Sequence, residues 1–154
     1  MEKTVLLTGI SGYIGLYCAK ELLNSGFKVR GTIRSLKKES VVLNTLGLSE
    51  EISKNLTFEM VDLNSDTGWE GAVDGCDFVM HVASPFRIAN PKNDIEMIGP
   101  AVDGTRRVLS AAQQANVTRV VITSSIVSMM ASLRRGRFGP NNWTDVTYPN
   151  LNTY

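Results

Sequence analysis

Short apolar runs alternate along the chain with stretches of helical periodicity. Thr4–Thr8 has the pattern of a strand, and Tyr13–Asn24 sets Ile14, Cys18, Ala19, Leu22 and Leu23 on one helical face before Gly26 stops it. A second short strand is expected over Lys28–Ile33, a helical stretch from about Glu39 to Leu48, and a third strand over Leu56–Val61. Gly68–Val73 has room for one short helix. Asp77–Ala83 is nearly all apolar, as a strand becomes when both faces of a parallel sheet are covered. Pro91 and Pro100 bracket an ambiguous stretch. Past it, Val108, Leu109, Ala111, Ala112 and Ala115 define a helix ending near Asn116, which Pro100 either starts or kinks. Arg119–Thr123 is the fifth strand. Beyond Ser125 the periodicity fades into loop, through Arg134-Arg135-Gly136-Arg137 and Gly139-Pro140-Asn141-Asn142. This rhythm predicts an α/β fold: one domain over residues 1–154 with a Rossmann-like doubly wound parallel sheet of about five strands, ordered 3-2-1-4-5.

Composition narrows the class without changing that picture. With 154 residues, 43% hydrophobic and 20% charged, the chain is long enough to bury a core and ordinary for a globular protein. A formal net charge of +1 gives no reason to expect a nucleic-acid or membrane partner. Its apolar runs fall far short of a bilayer span, and Met1-Glu2-Lys3 leads straight into a strand, leaving no room for a signal peptide. Cys18 and Cys76 are far apart and lack metal-ligand spacing. Cys18 falls on the apolar face of the first helix, so reduced thiols, no metal and a cytoplasmic location are expected.

The chemistry is concentrated where strands end. Thr8-Gly9-Ile10-Ser11-Gly12-Tyr13-Ile14-Gly15 follows the first strand and opens the first helix, the layout of a dinucleotide pyrophosphate site. Gly9 suits the tight turn, Gly12 lets backbone approach phosphate, and Gly15 lets the helix pack closely. Cofactor contacts are therefore expected at Thr8, Gly9, Ser11, Gly12, Tyr13, Ile14 and Gly15. The end of the second strand decides the nucleotide. An NAD site carries Asp or Glu there to accept from the ribose 2′-OH, whereas this chain has Thr32-Ile33-Arg34-Ser35 with Lys37 and Lys38 behind. Arg34 can grip a 2′-phosphate with a planar fork, and either lysine can add a point charge. NADP(H) is the expected cofactor.

Asp62-Leu63 closes the third strand, where the carboxylate could accept from the adenine amine and the leucine could pack the ring; a strand-to-helix cap accounts for the Asp equally well. Val82, Ala83 and Ser84 after strand four, and Thr123 and Ser124 after strand five, are expected to line the same crevice. His81 has no carboxylate or thiol at metal spacing and fits a satisfied core histidine better than a ligand or base.

Taken in order, Thr8–Gly15, Val29–Arg34, Asp62-Leu63, His81-Val82-Ala83-Ser84-Pro85, Pro100-Ala101-Val102-Asp103-Gly104-Thr105 and Val121-Ile122-Thr123-Ser124-Ser125 resemble the extended short-chain dehydrogenase/reductases. Within them the chain is most similar to the dihydroflavonol reductase, cinnamoyl-CoA reductase and yeast methylglyoxal reductase group. The resemblance implies NADPH-dependent reduction of an aldehyde or ketone, supported by a Ser, a Tyr and a Lys. It assigns the Ser to Ser125, which would hold the carbonyl oxygen. The Tyr, after the loop Trp143-Thr144-Asp145-Val146-Thr147, falls on Tyr154, which would give the proton.

The Lys that this resemblance puts four residues further on is not in the sequence, nor are a sixth strand and a C-terminal substrate lobe. On that basis the chain by itself is expected to be inactive. Its last strand is expected to leave an apolar edge that makes it weakly stable or self-associating. Three readings follow: the N-terminal part of an NADPH-dependent carbonyl reductase; a truncated, non-catalytic NADP(H)-binding module acting as sensor or interaction protein; and, with Arg34 against it, an NAD-dependent epimerase or dehydratase.

Overall fold

A computed structural model describes residues 2–85, 95–130 and 135–147. Pro91, Arg134 and the Pro149–Tyr154 segment, and with it Tyr154, lie outside the described residues. Two compact units make up the chain, Met1–Ile122 and Thr123–Tyr154.

The first unit holds β1 (Thr4–Thr8), α1 (Tyr13–Asn24), β2 (Lys28–Ile33), α2 (Lys37–Leu46), α3 (Glu50–Ser53), β3 (Leu56–Met60), α4 (Trp69–Val73), β4 (Phe78–His81), α5 (Ile95–Gln114) and β5 (Arg119–Ile122). All strand pairs are parallel and the order is β3-β2-β1-β4-β5, as the alternation predicts. Chain direction across the sheet reverses between β1 and β4, so ligands in such a fold meet the strand ends there.

Successive side chains of a strand point to opposite faces, and β1 shows what that builds. Leu6 joins Val79, Trp69, Val73, Val108 and Ala111 in one core, under α4 and α5. Leu7 joins Ile10, Ala19, Leu23, Val29 and Val42 in the other, under α1 and α2. Leu6 and Leu7 are both fully buried. Cys18 packs partly buried against the second core and Cys76 is buried in the first; both are free thiols.

Local chemistry explains the element boundaries. The αL conformation of Gly47 (φ 56°) ends α2. The sequence pattern overlooks α3, one turn begun by Ser49, whose hydroxyl accepts from the Ile52 N–H. Pro100 sits inside α5, whose start precedes it by five residues, so of the two options the longer helix holds. Asn116 (φ 54°) closes that helix, with Val117 N–H donating to the Ala112 carbonyl in the manner of a Schellman cap. β4 stops at His81, two residues short of the Asp77–Ala83 expectation, because the next two amides turn to a side chain instead of a neighbouring strand.

In the second unit the expected loop contains one short helix, α6 (Val127–Met130). Thr144 binds it from the Trp143–Thr147 loop, donating its N–H to Ser128 O and its hydroxyl to Val127 O. Among the described residues no helix is long and apolar enough to cross a membrane.

Because Leu6 is fully buried at the centre of the sheet, Leu6→Ala is expected to cost about 3 kcal/mol of folding stability. Leu109→Ala, on the exposed side of α5, should cost under ~1 kcal/mol. Urea unfolding of both variants measures the difference; equal midpoints would contradict this account of the core.

Candidate functional site

The crevice at the strand reversal is set by one hydroxyl. Thr8 and His81 face each other in register at the ends of β1 and β4. A threonine hydroxyl has one proton and two lone pairs. Both lone pairs of Thr8 Oγ1 accept amides, Val82 N–H and Ala83 N–H, each at 3.0 Å. Its proton is therefore left for His81 Nδ1, 2.7 Å away. The imidazole is an acceptor at Nδ1 and, as the neutral ring, carries its proton on Nε2. Burial pushes its pKa below the ordinary 6.5, consistent with the neutral form. His81 thus has the structural part its sequence context favoured.

A second hydroxyl repeats the device one strand over. Thr32 Oγ1, at the end of β2, accepts the Gly9 N–H at 3.1 Å. Gly9 has φ +73°, and a Cβ there would stand 2.9 Å from the Ala83 Cβ, so this turn has no room for a side chain. A Cβ on Gly15 would fall on the Gly9 carbonyl oxygen, which shows how closely α1 docks on the turn. Gly12 begins α1 with no side-chain cap, and the first turn of α1 has no acidic residue. Its N-terminal amides are therefore available to an outside anion.

Around this turn lies a cleft of about 880 Å³. Its wall includes the predicted Gly9, Ser11, Gly12, Tyr13, Ile14, Gly15, Arg34, Asp62, Leu63, Val82, Ala83 and Ser84. Tyr13 and Ile14 are exposed in it, 77% and 53% accessible. Thr32, Ile33, Val61, Asn64, Trp69 and Pro85 also line it, and sequence reasoning did not select them as site residues. For Thr32 a signal existed, since a threonine two residues before Arg34 is at a strand end; Trp69 is brought in by tertiary packing alone.

Arg34 is exposed, and its guanidinium makes no hydrogen bond or ion pair among the described residues. Asp62 Oδ1 accepts from Asn64 twice, N–H at 2.9 Å and Nδ2 at 3.0 Å. So the cap and a place in the cleft wall coexist at Asp62.

Two expectations differ from the geometry. Thr8 is fully buried with its hydroxyl fully used, so it shapes the cleft without lining it. Lys37 and Lys38 stand in the first turn of α2, outside the wall. Thr123, Ser124 and Ser125 belong to the second unit. There Ser125 is exposed; its hydroxyl accepts the Val127 N–H at 3.3 Å and its carbonyl accepts from the Ser128 hydroxyl at 2.6 Å. Ser124 and Ser128 share a hydroxyl contact of 3.2 Å. Among the described residues no group of His, Cys, Asp and Glu has the arrangement of a metal site.

Comparison with known proteins adds an independent line. Residues 5–151 match the NAD dependent epimerase/dehydratase family. The chain is 37% identical over 123 residues to dihydroflavonol 4-reductase of Dianthus caryophyllus, covering 80% of this chain and 34% of that protein. It is 40% identical over 125 residues to cinnamoyl-CoA reductase 2 of Medicago truncatula, covering 81% and 35%. Among solved structures it is similar to Gre2 of Candida albicans in complex with NADPH, with a TM-score of 0.76 and 29% identity, covering 95% of this chain and 45% of that one. The chain thus spans between a third and a half of the length of these relatives.

The Thr8–His81 pair makes stability depend on pH. Folding lowers the imidazole pKa, so its contribution is complete above 6.5 and is lost as pH falls through the depressed folded value. The loss can reach at most about 1.4 kcal/mol per pH unit for one proton. His81→Asn, which keeps an acceptor near the Nδ1 position, is expected to flatten the stability profile between pH 7 and pH 5. Superimposable profiles of wild type and variant in denaturant titrations would refute the assignment.

Proposed function

The chain belongs to the NAD dependent epimerase/dehydratase family, and from that membership we propose that it holds the NADP(H)-binding region of an NADPH-dependent reductase of aldehydes or ketones. One observation carries the reading. A single cleft brings together an uncapped α1 N-terminus with its glycine turn, a guanidinium at the end of β2 that is unpaired among the described residues, and a carboxylate at the end of β3.

Each part fits one part of the cofactor. The side-chain-free backbone at Gly9 and Gly12 and the first amides of α1 suit the pyrophosphate. Arg34 suits the 2′-phosphate as a planar, permanently charged fork, and no carboxylate at this strand end repels it. Lys37 and Lys38 add positive potential in the first turn of α2, an end of a helix where cations gain nothing from the dipole. Asp62 and Leu63 suit the amine and the face of adenine. When bound, NADPH supplies a hydride. For the carbonyl itself, Ser125 is the hydroxyl we assign to hold its oxygen and Tyr154 the phenol we assign to protonate it. The reductase names of the relatives support the same direction of chemistry.

A cytoplasmic setting suits the two free thiols, Cys18 and Cys76. Exposed Val121 and Ile122 on the edge strand β5 favour association of copies through that edge.

The cofactor reading predicts that NADPH binds more tightly than NADH, and that Arg34→Ala removes ~2 kcal/mol of that preference, a factor of roughly thirty. Fluorescence titration of both nucleotides measures it; equal wild-type affinities would defeat the reading. Gly12→Val should abolish binding of either nucleotide while leaving most of the melting temperature in place, because a branched side chain would occupy the space of the pyrophosphate. Full-strength binding by a folded Gly12→Val protein would show that the pyrophosphate lies elsewhere.

A further inference from the structure

The segment that follows β3 forms one wall of the cleft, and residues of helices α4 and α5 hold its backbone in place. Trp69, the first residue of α4, donates its indole N–H to the carbonyls of Asp62 (3.2 Å) and Ser65 (3.0 Å). From α5, Arg107 donates from one terminal nitrogen to the carbonyl of Leu63 at 2.7 Å, while its Nε pairs with the Asp66 carboxylate. Gly104 makes this approach possible. A Cβ there would stand 3.0 Å from the Leu63 Cβ and 3.3 Å from its carbonyl oxygen.

The Asp66 pair does not explain Arg107. Asp66 is 87% exposed, and ion pairs at such a surface contribute little. The bond to Leu63 O is different: a charged donor on a part-buried backbone carbonyl is among the stronger protein hydrogen bonds, and it fixes the peptide plane between Leu63 and Asn64. Asn64 in turn donates twice to Asp62 Oδ1. On Asp62, Oδ2 is left as the carboxylate oxygen without a bond among the described residues. Orientation of that oxygen, and of the Leu63 side chain beside it, therefore passes through the plane that Arg107 holds.

We infer that Arg107 is a positioning residue for the adenine half of the cleft, acting through Leu63 and Asp62 and touching no part of the nucleotide itself. The inference rests on the proposed NADP(H) site, with adenine at Asp62 and Leu63. It makes adenine recognition depend on a helix behind the wall, and it separates Arg107 from its neighbour Arg106. Arg106 is 74% exposed and 3.9 Å from Asp103, with no bond to the segment.

The test compares NADPH with its hypoxanthine analogue, which has a carbonyl in place of the 6-amino group and so cannot donate to Asp62 from that position. Dissociation constants are measured for wild type, Arg107→Met, Arg107→Lys and Arg106→Met, with a melting curve for each. The wild type is expected to prefer NADPH by about tenfold. Arg107→Met should reduce that ratio to about twofold, and Arg106→Met should leave it intact. Arg107→Lys, which keeps the charge but not the fork, should give an intermediate ratio and serves if the Met variant does not fold. A loss of overall stability would lower both affinities together and leave the ratio unchanged. A preserved ratio in folded Arg107 variants overturns the inference while the nucleotide site stands. A wild type that binds NADPH without preferring adenine, or does not bind it, overturns the underlying placement and this inference with it.

Discussion

The Thr8 hydroxyl is the constraint on which the cleft depends. Parallel strands β1 and β4 end side by side at the point where the sheet reverses, and their continuing chains must separate for a ligand to enter. Separation leaves the amides of Val82 and Ala83 without strand partners, and unpaired buried amides are costly. One oxygen absorbs both, and its own proton is taken by a histidine that burial keeps neutral. Each of the four bonding groups has a complement. Thr32 does the same for Gly9 on the other side of β1. Three strand ends are thereby held apart at fixed spacing by two hydroxyls, and the glycine turn sits between them.

Charge placement follows a related logic. Several cations around the sheet are already engaged: Lys3 with Asp77, Lys28 with Glu2, Arg30 with three carbonyls at the C-terminal end of α4, Arg107 with Leu63 and Asp66. Arg30 and Arg34 make an instructive pair on one strand and the turn that follows it. The first caps a helix through its Nη1, whereas the second lines an open cleft without a partner among the described residues. An unengaged guanidinium beside an uncapped helix N-terminus concentrates positive potential at one end of the cleft.

Much of this was legible in the sequence. Strand order follows from alternation, and the cleft from the glycine spacing and strand ends, because both are local patterns that parallel sheets turn into fixed positions. Arg34 was visible for the same reason: it occupies a counted place after a strand. What escaped was set by tertiary contact. Nothing in the neighbourhood of Thr8 announces that its hydroxyl would be consumed by residues 73 to 75 positions away. β4 ends early as a result, and Thr8 forms the floor of the site instead of a contact. Trp69 and Arg107 look like an amphipathic helix start and a surface charge until their carbonyl partners at residues 62, 63 and 65 are seen. Single-turn helices such as α3 and α6 escape because one turn is too short to establish a period.

Ile10 bears on how a nucleotide would enter. It lies inside the glycine turn, between Gly9 and Ser11, yet it is fully buried in the core beneath α1 and α2. The space it fills exists because β2 carries Gly31: a Cβ there would stand 2.5 Å from Ile10 Cδ1. A loop of glycines and a serine would ordinarily be a slack tether. Here its middle is nailed into the hydrophobic interior, so the ordering entropy of the turn is spent when the chain folds and not when a ligand arrives. Association at this end of the cleft then needs no ordering of the glycine turn.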